Sequence, residues 1–178
     1  MQDIRQRYNI VASAGSLSLR PYSHLVRSSR WLLVAAALLA LVAPIVPDSI
    51  GEDGRLVLYV LSILLALHGL YTILIKAKIR YLFDASANGI FKSSLWNQHE
   101  KLMRLEDAVV FVSEESGGWH YALGAKKSHF VKSYSISEEF GAGHESQQQS
   151  QAYEEHILEK IQAMIASLQP VEFPSRRF

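Results

Sequence analysis

The chain of 178 residues contains no cysteine. That absence excludes the disulfide framework on which small exported domains depend, and it removes thiolates as zinc ligands or covalent nucleophiles. An excess of one charge is lacking too: 18 Lys and Arg stand against 17 Asp and Glu, for a formal charge of +1. Because the basic residues after the apolar runs roughly balance the acids there, an extended phosphate-binding face for nucleic acid is not expected. Gly117-Gly118 and Gly141-Ala142-Gly143 lack the basic residue and helix start of a phosphate loop, and no Ser sits in a nucleophile elbow. His120, His129, His144 and His156 are not spaced as a ligand pair one helical turn apart, although His120 and His129 fall on neighbouring expected strands. Glu114-Glu115 and Glu138-Glu139 are adjacent carboxylates that a strand would point to opposite faces, so they read as solvated turn charges rather than a catalytic pair. No internal repeat is visible. The expectation is a non-enzyme without catalytic residues, cofactor or metal.

Two apolar runs dominate what is present. From Trp31 to Val46 no residue is charged, and from Leu56 to Ile75 the polar residues are Ser62, His68 and Thr72. An α-helix needs about 20 such residues to cross the hydrocarbon core of a bilayer. The turn between the runs is expected over Pro47 to Gly54, since Pro44 and Pro47 stop the first helix by lacking a backbone donor. A chain this short has too little surface to bury both runs in a soluble core. Charge supports a membrane hairpin, because Arg5, Arg7, Arg20, Arg27 and Arg30 precede the first run and Lys76, Lys78 and Arg80 follow the second. The connecting loop carries Asp48, Glu52 and Asp53 against Arg55. Lys and Arg resist translocation, which puts both termini in the cytoplasm. A cleaved signal peptide is disfavoured by the long basic region, by the prolines where cleavage would fall and by the second run. Trp31 is expected to open the first helix at headgroup level.

Near Lys78 the pattern changes from helical to alternating. Residues 76–170 form an expected soluble domain, preceded by a basic segment 1–30 and the hairpin 31–75, and followed by a tail 171–178. Tyr81 and Phe83 share a strand face, Asn88-Gly89 makes a hairpin turn, and Ile90-Phe91 begins the return. Leu105 to Val112 reads as a central strand. Trp119, Tyr121 and Leu123 share a face, and a turn at Gly124 to Ser128 leads into Phe130, Tyr134 and Ile136. Gly141 to Ser150, with its Gln cluster, reads as a solvated linker. Tyr153, Ile157, Ile161, Met164 and Leu168 recur at spacings of three and four, giving an amphipathic helix stopped by Pro170. Ahead of the hairpin, Tyr8 to Val11 and Leu17 to Leu19 are β-like pieces, either disordered or adding an edge strand to the domain.

This order, strands and then one closing helix on a transmembrane hairpin, resembles the bacterial pleckstrin-homology-like (PH-like) domains of small membrane proteins. The resemblance covers residues 78–168 and rests on Tyr81-Leu82-Phe83-Asp84 with Asn88-Gly89, the Leu105-Glu106-Asp107 step, the Ile136-Ser137 exit and the final helix. Leu105 stands where the family often has Trp, and another α+β domain with a terminal helix is the competing fold. The resemblance implies an α+β membrane protein whose small antiparallel β domain is closed by its C-terminal helix, with Ile157, Ile161, Met164, Ile165 and Leu168 facing Phe83, Phe111, Trp119 and Tyr121. It implies scaffolding or signalling rather than a reaction.

The functional expectation is an adaptor at the bacterial inner membrane, multi-pass, with a protein partner. The competing expectation is an accessory subunit or regulator of a transport or secretion assembly, held by its helices; oligomers are allowed by either. Lys126, Lys127 and Lys132 are the candidate partner or lipid contacts. Arg27, Arg30, Lys76, Lys78 and Arg80 are membrane-interface charges that orient the hairpin and can touch anionic lipid. His68, at membrane depth, is expected to bond neutrally to the other helix, there being no acid to complete a proton relay. The Ala35-Ala36-Ala37 and Ala40 face offers close packing to the second helix or a neighbour.

Overall fold

Residues ahead of the apolar runs belong to the domain that follows them. In the computed structural model, which describes residues 4–45, 51–115, 117–125 and 132–169, the chain opens with a short helix α1 (Ile4–Arg7) and a hairpin of β1 (Val11–Ser13) and β2 (Ser16–Leu19). Its two-residue turn needs Gly15 at a φ of 85°. β2 pairs antiparallel with β3 (Arg80–Asp84), setting Leu17 opposite Phe83 and Leu19 opposite Tyr81. All four are buried in one core, where Tyr8 and Ile4 join them.

Between β2 and β3 lie the two apolar helices, α2 (Leu25–Val42) and α3 (Gly51–Leu74). Both start earlier than the uncharged runs. α2 carries Arg27 and Arg30 in its first turns, which displaces Trp31 from the helix start. It ends where Ala43 N–H bonds to Leu39 O, one residue before Pro44. α3 takes in Gly51 to Gly54, expected as turn, because Glu52 and Asp53 in its first turn complement the positive end of the helix dipole. Residues facing between the helices are small: Ser29, Ala36 and Ala43 from one side, Ser62, Gly69 and Thr72 from the other. The spacing of seven from Ser29 to Ala36 to Ala43 keeps one narrow seam on the partner helix. A 3₁₀ turn (Lys76–Lys78) then leads into β3.

β3 through β5 extend the first sheet in the order β1-β2-β3-β4-β5, with β4 at Gly89–Ser93 and β5 at Glu100–Met103. The β3–β4 turn corrects the expectation for Asn88-Gly89. Asn88 has a positive φ, 41°, but Gly89 does not and already belongs to β4. The connection is the four residues Ala85 to Asn88, held by Asp84 Oδ1 accepting from the Ser86 and Ala87 N–H groups. β5 lies where the sequence suggests no strand, since Glu100 and Lys101 dilute its apolar pattern. The second sheet has the order β6-β7-β8, from β6 (Ala108–Glu115), β7 (Gly118–Ala125) and β8 (Tyr134–Ser135). β6 starts later than expected because Leu105, though buried, lies in the turn before it.

The expected linker Gly141 to Ser150 is largely helical. α4 (His144–Tyr153), a π-helical turn (Glu154–Leu158) and α5 (Glu159–Leu168) follow one another without a break. Gln is a good helix former, and burial of Ser150 and Tyr153 supplies the anchor that the local sequence hides. The wider π turn lets Ile157 and Leu158 both turn inward before Ile161 and Ile165 resume the buried stripe. That stripe meets both sheets in a single core, each fully buried large side chain contributing about 1.5–3 kcal/mol. Phe111 is not part of it. Alternation along β6 turns Val110 inward and Phe111 to the opposite face.

Candidate functional site: the junction of domain and hairpin

Glu138 is the centre of the junction and not a solvated turn charge. It follows β8 at the exit from the second sheet, is 9% exposed, and takes three donors. Arg7 Nη2 lies 2.7 Å and His24 Nε2 2.9 Å from Oε2, while Tyr8 O–H donates to Oε1 at 2.8 Å. Arg7 Nη2 also reaches Gln149 Oε1 at 3.4 Å, and Ser23 O–H donates to the Arg7 carbonyl. These contacts bind α1, the start of α2, the β8 exit and α4 at one point. Burial opposes ionisation of Glu138, but hydrogen bonds from His24 and Arg7, the His24 charge and the Tyr8 hydroxyl outweigh it, and its carboxyl is held at about 2. Glu139, Glu114 and Glu115 are exposed. No local signal separates Glu138 from them, because its partners lie more than a hundred positions away.

Aromatic rings support this centre from below. Tyr8 and Tyr153 rings are 5.0 Å apart, and Tyr121 stacks on Tyr153 at 5.5 Å with 8° between planes. Burial, with the Glu138 charge next, pushes the Tyr8 hydroxyl well above its ordinary value, so it acts as a neutral donor. Tyr153 O–H donates to Ile136 O at 2.9 Å, and Tyr121 O–H donates to the Glu154 carboxylate in the π turn.

Beside Glu138 an open polar cavity of about 500 Å³ lies between α1 and α2. Arg7, Asn9, Ser23, His24, Arg27 and Arg30 line it. Arg7 is neutralised by Glu138, whereas Arg27 and Arg30 are exposed and have no carboxylate partner among the described residues. A second cavity, about 430 Å³ and apolar, lies on the outer face of β6 and β7 along Val109, Phe111 and Gly124.

The other expected site residues are scattered. Lys126 and Lys127 lie outside the described residues, as do His129 and Phe130; Lys132 is exposed. Lys76 and Lys78 are exposed on the 3₁₀ turn after α3, but Arg80 is drawn into the sheet, its Nε donating to Ser18 Oγ at 2.5 Å. His68 is exposed on the outside of α3, so its imidazole does not bond to α2. Ser62 makes the interhelical bond instead, donating to Ala36 O at 2.8 Å. Among the described residues no group of three His, Cys, Asp or Glu could hold a metal. The sequence matches no protein-family model, and no curated protein or solved structure matches it.

Proposed function

We propose that this chain is a membrane-anchored, non-enzymatic interaction protein of the bacterial inner membrane, in which a two-helix hairpin holds a PH-like domain at the cytoplasmic surface to engage a protein partner. One observation carries the membrane part: the hairpin is inside out relative to a soluble protein. Ala36 between the helices is 3% exposed, whereas Trp31 and Ile45 are 69% and 78% exposed on the outside. Water penalises such a surface and lipid tails do not. At 1.5 Å per residue α3 is about 36 Å long and α2 about 27 Å, against a hydrocarbon core of roughly 30 Å. α2 is the shorter of the two, so it spans by local thinning of the bilayer and by Arg27 and Arg30 extending their side chains up to the headgroups. The basic residues at the domain ends and the acids at the start of α3 favour cytoplasmic termini.

Two antiparallel sheets around one core with a helix across its end are consistent with a PH-like fold, here supplemented by the N-terminal hairpin. The Glu138 junction ties that domain to α2, so tethering raises its effective concentration beside membrane partners. A second reading, a helix-held subunit of a membrane assembly, is favoured by Ala37 and Ala40, small residues left exposed on α2. A pull-down in mild detergent separates them. The full-length chain and a hairpin of residues 24–78 are each used as bait. A partner held only by the full chain is expected. Retention by the hairpin alone overturns the adaptor reading in favour of the assembly subunit.

A further inference from the structure

We infer that the β4–β5 turn is a third membrane contact, with Leu95 and Trp96 inserted at the lipid interface beside the hairpin; the inference rests on the spanning reading of α2 and α3. Strand register gives the position. α3 ends at Leu74, the 3₁₀ turn follows, and Arg80, the first residue of β3, pairs with Ser93, the last of β4. β4 therefore runs back toward the helix end, and the chain beyond Ser93 emerges at the membrane-proximal edge. There it turns sharply. Ser94 N–H bonds to Asn97 O at 2.8 Å and Asn97 N–H bonds to Ser94 Oγ at 3.2 Å, which leaves Leu95 and Trp96 as the two tip residues. Trp96 is 80% exposed and Leu95 43%. A turn normally carries Gly, Pro, Asn, Asp or Ser at its tip. Here it holds out an indole and an isobutyl group toward the level where amphipathic rings favour the headgroup region.

Tryptophan emission tests this directly, because the chain has 3 Trp. Full-length protein and its Trp96→Phe variant are reconstituted in phosphatidylcholine vesicles, with and without bromine on the upper part of the acyl chains, and the difference between the two proteins isolates Trp96. Blue-shifted emission quenched by the bromines and protected from aqueous iodide is expected. Red emission quenched by iodide alone overturns the inference. Should the chain stay monodisperse without detergent or lipid, the spanning reading has failed; should it require detergent while Trp96 remains aqueous, only the third contact has failed.

A separate observation, the arginine-lined cavity, points to a binding site for the phosphate of an anionic phospholipid headgroup. Arg27 and Arg30, one helical turn apart on α2, share this cavity with Asn9 and Ser23 of the domain side, and neither guanidinium has a carboxylate partner among the described residues. Their fork-shaped donors suit a phosphate diester. The occupant is lipid and not a free anion because the cavity opens where a spanning α2 meets the headgroups. Native mass spectrometry of the full-length protein in detergent, titrated with phosphatidylglycerol and with phosphatidylcholine, reads the preference. Wild type is expected to favour phosphatidylglycerol, and Arg27→Gln with Arg30→Gln together to reduce that preference by about tenfold or more. Equal binding of both lipids, or a preference unchanged in the double variant, overturns the site. So does displacement of phosphatidylglycerol by millimolar inorganic phosphate, which assigns the cavity to a free anion. Both side chains are exposed, so an unchanged thermal melt verifies that the variant is folded.

Discussion

Replacing Glu138 with Ala lowers the stability of the domain by about 3–5 kcal/mol, the cost of breaking a buried pair and leaving its donors unmatched. Arg7, His24 and Tyr8 lose their common acceptor at once. Glu138→Gln retains shape and one acceptor oxygen, and is expected to fall between wild type and Glu138→Ala. A thermal melt in detergent, followed by circular dichroism, measures the order. The pH dependence has a definite sign. The folded carboxyl is held at about 2 against an ordinary 4.5, so its contribution is fully present above 4.5 and is lost as pH falls from there through 2. After allowance for solvent screening, that contribution is on the order of 2 kcal/mol. Glu138→Gln should remove this part of the acid dependence. If both variants melt with wild type, the junction does not hold the domain to α2.

That junction also shows where the sequence is readable and where it is not. The apolar helices, the alternation of Tyr81 and Phe83, the Trp119-Tyr121-Leu123 face and the last helix are legible because each is a local periodicity that survives folding unchanged. β2 is only half legible: Leu17-Ser18-Leu19 is too short to declare itself, and its place in the sheet depends on β3, more than sixty residues on. β5 and α4 escape a local reading for the same reason in opposite forms. Charged Glu100 and Lys101 hide a strand whose pairing is supplied by β4, and a polar Gln run hides a helix whose anchor is tertiary. The site is the least legible part. Arg7, His24 and Glu138 meet from three separate stretches of chain, and nothing near any of them in sequence announces it.

The hairpin offers the other large effect. A Cβ at Gly69 would stand 3.0 Å from Leu33 Cδ2 and 3.2 Å from Ser29 O. Leu33 can rotate away, but the Ser29 carbonyl is backbone and cannot, so even Gly69→Ala forces the helices apart slightly. Gly69→Leu must separate them by a side chain's width, breaking the close seam that Ser29, Ala36 and Ala43 make possible. The expected loss is about 1–3 kcal/mol for Leu, and less for Ala. Ser62→Ala, which removes the bond to Ala36 O, should cost about 0.6 kcal/mol, the usual worth of a polar contact between helices in lipid. Leu67→Ala supplies the contrast, since Leu67 lies on the outer face, 59% exposed, and should leave hairpin stability nearly unchanged. Crosslinking reads the helix separation directly, because the chain has no cysteine of its own to compete. Ala36→Cys with Ser62→Cys puts a thiol on each of two buried positions of the seam, where the Ser62 hydroxyl reaches the Ala36 backbone carbonyl, two helical turns from Gly69 along α3. Efficient oxidation in the otherwise wild-type chain and its loss in the Gly69→Leu background is the expected pattern. Equal crosslinking in both backgrounds would show that the helices do not depend on close approach at Gly69, and the small-residue seam would then be a consequence of the hairpin's composition instead of what holds it together.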